Sequence, residues 1–141
     1  METSSMGNVL VAVTLENVFA VQHGRRGPEK VRRVDVTDAL VDTGAYGLLA
    51  PSSIIARLGL QPLRQRTGQT IGEPAIIATY RAVRLTIQGR DCISDVGEIS
   101  DAYPVIVGQI PLESMDWVVD SKGGRVIGNP EHGGENMVDV F

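Results

Sequence analysis

Short apolar runs, with glycine and proline scattered between them, are the feature that most limits how this chain can fold. Runs such as Val9–Val13 and Trp117–Val119 are rich in β-branched or aromatic residues, and sixteen glycines and seven prolines are scattered between such runs. Short runs of this kind, bounded by turn residues, are typical of strands, whereas helices need longer periodic stretches. The sequence therefore predicts a mainly β protein with many turns.

Length and charge narrow the class of protein. A chain of 141 residues is long enough for one domain with a full core. A net charge of -4 offers no basic surface for nucleic acid, and the short run Val9–Val13 is neither a signal peptide nor a membrane span. Cys92 is the single cysteine, which excludes an internal disulfide. We therefore expect a cytoplasmic protein without nucleic-acid or membrane partners.

The pattern along the chain predicts the order of elements. We expect a flexible start at residues 1–7, one or two strands within 8–21, a basic loop at 22–30 and a strand at 31–41. Pro51 and Gly59 bracket a short helix. Two long strands, 63–70 and 75–87, form a hairpin with its tip near 71–75, and a further strand covers 92–98. A short helix at 111–115 and a closing hairpin of 117–120 with 125–128 complete the domain.

The stretch Ala39–Ala45 contains the strongest candidate for chemistry. Apolar residues precede Asp42, and Thr43 and Gly44, two residues that suit a tight turn, follow it. A carboxylate among apolar neighbours is costly unless it is hydrogen-bonded or partly protonated, and a carboxyl group perturbed in this way suits acid–base chemistry. Asp42 is therefore a candidate catalytic acid. The alternative is a structural aspartate that caps the turn.

Asp42-Thr43-Gly44, preceded by apolar residues and followed by a small one, resembles the active-site loop of the aspartic proteases. Three further features follow in the order found in that family: the helix ending at Leu58-Gly59, the long hairpin, and the run Val105–Gly108 before a helix. The chain has a single Asp-Thr-Gly in 141 residues. In this it resembles the retropepsin type, which has one such loop per chain, and not the pepsin type, which has two. The resemblance implies a closed, barrel-like acid protease fold with one or two short helices over residues 8–129, followed by a tail at 130–141.

The resemblance also implies a homodimer that hydrolyses peptide or protein substrates without a metal or cofactor. Each subunit would supply one Asp42, with Thr43 and Gly44 completing the catalytic loop. The hairpin tip would act as a flap over the peptide. Residues implied to line the cleft are Leu40, Ala45, Ile71, Gly72, Glu73, Ile77 and Val107.

Two positions depart from the pattern of many viral members. Those proteins have an acid two residues after the glycine and an arginine after the second glycine, and the two residues pair. Here the positions hold Tyr46 and Gln109. Losing both charges together is consistent with an intact fold, because neither charge is left alone. The alternative function is therefore a dimerisation or peptide-binding module with the same fold and little or no cleavage.

The other candidate residues have simpler interpretations. His23 and His132 lack the spacing of metal ligands. We expect Cys92 to be a small buried residue and Trp117 to belong to the core. Glu73 at the hairpin tip is interpreted as solvated, with contact to substrate as the alternative. Met137–Phe141 follows a glycine-rich spacer, and it either adds to the dimer interface or frays.

Overall fold

The structure is a computed structural model that describes residues 9–19, 32–70 and 73–135, without the side chains of 64–70 and 73–76. Its elements follow one another as β1 (Val9–Asn17), β2 (Arg33–Val41), β3 (Leu48–Pro51), α1 (Ser52–Leu58), β4 (Gln61–Thr70), β5 (Glu73–Ile87), β6 (Arg90–Ile99), β7 (Ile106–Val107), α2 (Gln109–Ser114), β8 (Trp117–Asp120), β9 (Arg125–Gly128) and a 3-10 helix (Pro130–His132). The predicted mainly β fold is confirmed.

Six strands close into a barrel. Neighbouring strands follow the order β1, β2, β7, β3, β6 and β5, and β5 returns to β1 through pairs such as Leu15 with Leu85. Closure leaves these six strands without an open edge. β4 pairs with β5 outside the ring, and their register brings Thr70 opposite Glu73. The predicted long hairpin is therefore present, and its tip, residues 71 and 72, lies outside the described residues.

The core follows from the alternation of residues along the strands. In β1 every second side chain is buried, as expected for a strand with one face on a core. The largest buried side chains come from β1, β5, the two helices and the residue that caps α2, so helices and barrel share one core: Leu15, Leu58, Leu85, Ile87, Leu112 and Met115.

The helix α1 lies where proline and glycine predicted it. Gly59 ends the helix with a left-handed φ of 66°, and its N–H donates to the carbonyl groups of Ile55 and Ala56. The buried Asn17 side chain of β1 donates to the Leu58 carbonyl oxygen at 2.9 Å. A strand side chain thus satisfies one of the carbonyl groups that a helix end leaves without a partner.

Most strand bounds differ by about two residues from the sequence prediction, and two differences lie in the last third of the chain. α2 begins at Gln109, two residues before the predicted start at Pro111, which the first turn of a helix accepts. The predicted spacer after Asn129 begins with the 3-10 helix Pro130–His132, in which the Glu131 N–H donates to the Asn129 side-chain oxygen at 3.0 Å. The closing hairpin has the predicted bounds. No helix in the described part of the chain is long and apolar enough to cross a membrane.

Candidate active site

The Asp42 loop, residues 42–47, crosses over the end of a short central strand. β7 lies between β2 and β3, parallel to β2 and antiparallel to β3. Because the chain leaves β2 on one side of β7 and enters β3 on the other, residues 42–47 must pass over the point where β7 ends. This crossing lifts Asp42 out of the sheet.

Backbone hydrogen bonds hold the Asp42 loop at the crossing. The Asp42 N–H donates to the Val107 carbonyl oxygen at 2.9 Å, and the Gly108 N–H donates to that of Gly47 at 2.9 Å. At the start of α2, Gln109 and Ile110 donate to the carbonyl oxygens of residues 45 and 46, each at 2.8 Å. The run 105–108 thus lies directly behind the loop.

Gly108 is required by the closeness of these backbones. A Cβ atom there would lie 2.5 Å from the Gly47 carbonyl oxygen and 2.6 Å from that of Ala45. Both atoms belong to backbone that is already hydrogen-bonded, so neither can move aside cheaply. Only glycine allows the loop and the start of α2 to approach this closely.

The Asp42 side chain is exposed. Its Oδ1 accepts a hydrogen bond from the Gly44 N–H at 2.9 Å, and Oδ2 forms none with the described residues. A Cβ on Gly44 would lie 3.1 Å from Oδ1, so glycine keeps the turn tight around the carboxylate. One oxygen is therefore fixed by the turn, and the other is available to a partner outside the single chain.

The residues implied to line the cleft fall into three groups. Leu40, Ala45 and Ile77 are half-buried, and the Ile77 side chain packs close to Gly97. Val107 is 0% exposed and supports the loop from behind, where a substrate cannot touch it in the single chain. Ile71 and Gly72 lie outside the described residues, and Glu73 is described by its backbone alone. Substrate contact by the first and third groups stays a prediction.

Thr43 is exposed and borders a groove of about 770 Å³. The groove runs from the Asp42 loop along α2 to β8 and the 3-10 helix. Its polar wall includes Gln109 and Glu113, which are joined by a hydrogen bond of 2.8 Å from Nε2 to Oε2.

Sequence reasoning missed a second carboxylate at the other end of α2. Asp116 is 6% exposed and has a φ of 58°, a region that aspartate tolerates better than most residues. Its Oδ2 lies 2.7 Å from Nδ1 of His132, and its Oδ1 accepts from Asn129 Nδ2 at 3.3 Å. Asn129 before Pro130 is a helix-start signal that could have placed His132 in a short helix.

The Arg90 side chain of β6 holds the backbone around Asp116 by hydrogen bonds. It donates to the carbonyl oxygens of Asp116 at 2.8 Å and of Gly134 at 2.6 Å. Its guanidinium group lies 4.0 Å from the centre of the Trp117 ring, a cation–π contact. We call Arg90, Asp116, Asn129 and His132 the Asp116 cluster. It joins α2, the closing hairpin and the 3-10 helix to the barrel.

Cys92 and Trp117 are both half-buried at the edge of the core. Burial raises the pKa of the Cys92 thiol to about 11, with Asp91 adding to the shift. Trp117 Nε1 is buried and donates to no described residue. Within the described ranges no group of three or more histidine, cysteine or acidic side chains could hold a metal ion.

Comparison with known protein families matches the central part of the chain. A model of an aspartyl protease family matches residues 30–100, which is half of the 141-residue chain. The matched stretch contains β2, the Asp42 loop, α1 and the long hairpin. No curated protein matches the chain in sequence. The chain belongs to an aspartyl protease family of the retropepsin-like clan.

Proposed function

We propose that the protein is a homodimeric aspartic endopeptidase whose active site contains one Asp42 from each subunit. The observation that carries this proposal is the exposed Asp42 carboxylate on a rigidly held loop, with one oxygen fixed by Gly44 N–H and the other unbonded among the described residues. A solitary exposed carboxylate has nothing that would let it act as both base and acid. The resemblance to the retropepsin type implies that the second carboxylate comes from another copy of the chain.

Two Asp42 carboxylates close together cannot both be ionised cheaply, so they share one proton. The ionised member takes a proton from a water molecule held between them while that water attacks the peptide carbonyl carbon. The protonated member donates to the carbonyl oxygen. When the C–N bond breaks, a proton passes to the leaving nitrogen. No metal and no covalent intermediate takes part in these steps.

Other parts of the chain support this reaction in the proposed dimer. Thr43 is exposed beside Asp42, so its hydroxyl can bond to the partner's backbone. The hairpin of β4 and β5 acts as a flap that closes over the peptide and excludes water. Leu40, Ala45 and Ile77 favour apolar residues next to the scissile bond. We assign residues 8–129 to the protease domain and expect it to work in the cytoplasm.

The test is cleavage of a peptide library by the native protein and by Asp42→Asn at several pH values. We expect a bell-shaped dependence of rate on pH, because only the singly protonated pair is active. Asp42→Asn should abolish cleavage. A variant that cleaves as fast as the native protein would show that Asp42 is structural.

The alternative is a dimerisation or peptide-binding module that does not cleave. It is favoured by Tyr46, which stands where many viral members carry a charged residue and which is exposed here. Peptides that bind to the native protein and remain intact at every pH would establish this alternative.

A further inference from the structure

The strand β4 (Gln61–Thr70) lies at the edge of the seven-stranded sheet. It pairs with β5 on one side, and no strand in the described part of the chain pairs with its other side. A free strand edge presents N–H and C=O groups that an extended segment of another chain can bond. Residues 63–66 lie in the half of β4 away from the tip of the hairpin. We call residues 63–66 the β4 edge.

Three exposed arginines lie around the start of β4. The Arg32 side chain covers Gly59, because a Cβ atom on that glycine would lie 2.9 Å from the arginine Nη1. Arg57 belongs to the last turn of α1, two residues before Gly59. Arg81 lies on β5 beside the start of β4, and its guanidinium group is 5.2 Å from the centre of the Phe19 ring. We call Arg32, Arg57 and Arg81 the arginine cluster.

The backbone beneath the arginine cluster is held by one residue of β1. The Asn17 N–H donates to the Arg32 carbonyl oxygen at 2.9 Å. The Asn17 side chain donates to the carbonyl oxygens of Leu58 at 2.9 Å and of Gly59 at 3.3 Å. The start of β2 and the end of α1 are therefore fixed side by side, and their arginines stay close together.

No member of the arginine cluster forms an ion pair with a carboxylate of the described residues. The arginines next to the cluster do form such pairs. Arg33 Nε lies 3.3 Å from Asp35 Oδ1, and Arg84 Nε lies 3.6 Å from Asp91 Oδ2. A guanidinium group is a planar fork of donors that fits a carboxylate. The cluster is thus a local excess of positive charge that suits an acidic partner.

An acidic protein segment fits this surface better than nucleic acid or a membrane does. Those two partners attract broad basic surfaces, whereas this chain has a net charge of -4. A short acidic segment responds to nearby charge, since exposed charges more than about 8–10 Å away are screened at physiological salt. β4 also contains Arg64 and Arg66. Their charge opposes pairing with a second copy of β4 and favours an acidic strand.

We propose that the β4 edge and the arginine cluster bind an extended acidic segment of a partner protein. The backbone of the segment adds a strand to the β4 edge, and its carboxylates pair with the arginine cluster. Arg32 and Asp42 lie beyond opposite ends of β2, whose nine residues span about 30 Å. The bound segment therefore leaves the Asp42 loop open. This inference is independent of the proposed function, because it does not involve Asp42.

The test measures by fluorescence anisotropy how tightly the native protein binds a labelled peptide of alternating glutamate and valine. Arg57→Gln and Arg81→Gln should each weaken binding about 10-fold, because each removes a charge-assisted hydrogen bond. Matched controls are Arg33→Gln and Arg84→Gln, because both arginines are already ion-paired. The controls should bind as tightly as the native protein. Bound peptide should also slow amide hydrogen exchange at residues 63–66.

Three outcomes would overturn the proposal. The first is no binding of the peptide, or equal loss of binding in the cluster variants and in the controls. The second is tighter binding of a single-stranded oligonucleotide or of phosphatidylserine vesicles through the same arginines, which would assign the cluster to another class of partner. The third is peptide binding without slower exchange at residues 63–66. Asp42→Asn should bind the peptide as the native protein does, so docking and cleavage are tested separately.

Discussion

Two aspartates lie at opposite ends of α2, and their surroundings differ completely. Asp42, beside the start of the helix, is exposed and accepts one hydrogen bond, from its own turn. Asp116, just after the helix, is buried and is held by His132 and Asn129. A buried carboxylate is stable only with such partners, whereas an exposed one needs none. The Asp116 carboxylate is therefore held in place by its buried partners, and the Asp42 carboxylate is available for chemistry.

The largest expected effect separates the two aspartates by activity. Asp42→Asn should lower kcat at least about 1000-fold, because both acids of the proposed dimer are lost at once. Its melting temperature should equal or exceed that of the native protein, since an amide has nearly the same shape and removes repulsion between two carboxylates. Peptide cleavage and thermal unfolding measure both parts. A clear fall in melting temperature would mean that Asp42 is structural, like Asp116.

The next effect is on stability at Asp116. Asp116→Ala should lower the free energy of unfolding by about 3 kcal/mol, because His132 and Asn129 lose their buried partner and alanine is strained at a φ of 58°. Asp116→Asn, which keeps the shape and tolerates that φ, should lose less. Urea unfolding measures the difference. Equal stability of Asp116→Ala and the native protein would contradict the structural role.

A third effect tests the support behind Asp42. Gly108→Ala should lower the free energy of unfolding by about 2 kcal/mol, because its Cβ would overlap the carbonyl oxygens of residues 45 and 47. Gly47→Ala is the matched control on the same loop, since a Cβ there meets nothing within 4 Å. The two variants should differ in urea unfolding and in activity. Similar losses from both would show that the crossing is looser than the structure implies.

The smallest effect concerns Cys92, which belongs neither to the Asp42 loop nor to the Asp116 cluster. Its pKa of about 11 lies above the usual thiol value of 9.0, so the folded state holds the proton more tightly than the unfolded state. This contribution to stability is complete below pH 9 and is lost as pH rises towards 11. We expect native protein to lose about 1 kcal/mol more than Cys92→Ser over that window. Parallel loss in both proteins would contradict the burial of the thiol.

The sequence predicted the parts of the fold that depend on local signals. The closing hairpin, α1 and the strand before Asp42 each have turn or capping residues at their ends, and each lies close to the predicted bounds. The closure of β1 onto β5 and the passage of β7 between β2 and β3 depend on pairing between distant residues. Without the family resemblance, no local pattern would have indicated them.

The candidate site was predictable at Asp42 and not at Asp116. The Asp42 loop has a short continuous signature, whereas the Asp116 cluster joins residues from three separate segments, so sequence spacing does not indicate it. Val107 illustrates the same limit. The resemblance implied that Val107 lines the cleft, but its complete burial depends on the packing of the whole barrel. Burial of this kind cannot be inferred from alternation in a two-residue strand.

The most direct test of the two-subunit site is to mix native protein with Asp42→Asn and let the subunits exchange. Native concentration is held fixed while the variant is added in excess, and peptide cleavage is measured at equilibrium. If the site needs two Asp42 side chains, mixed dimers are inactive and the rate falls towards zero as native subunits are diluted into them. A second mixture contains equal amounts of the two proteins at the total concentration of the native sample. A site shared by two subunits predicts about one quarter of the native rate there, and independent subunits would give about one half. A rate that does not fall when excess variant is added to a fixed amount of native protein would contradict the shared site.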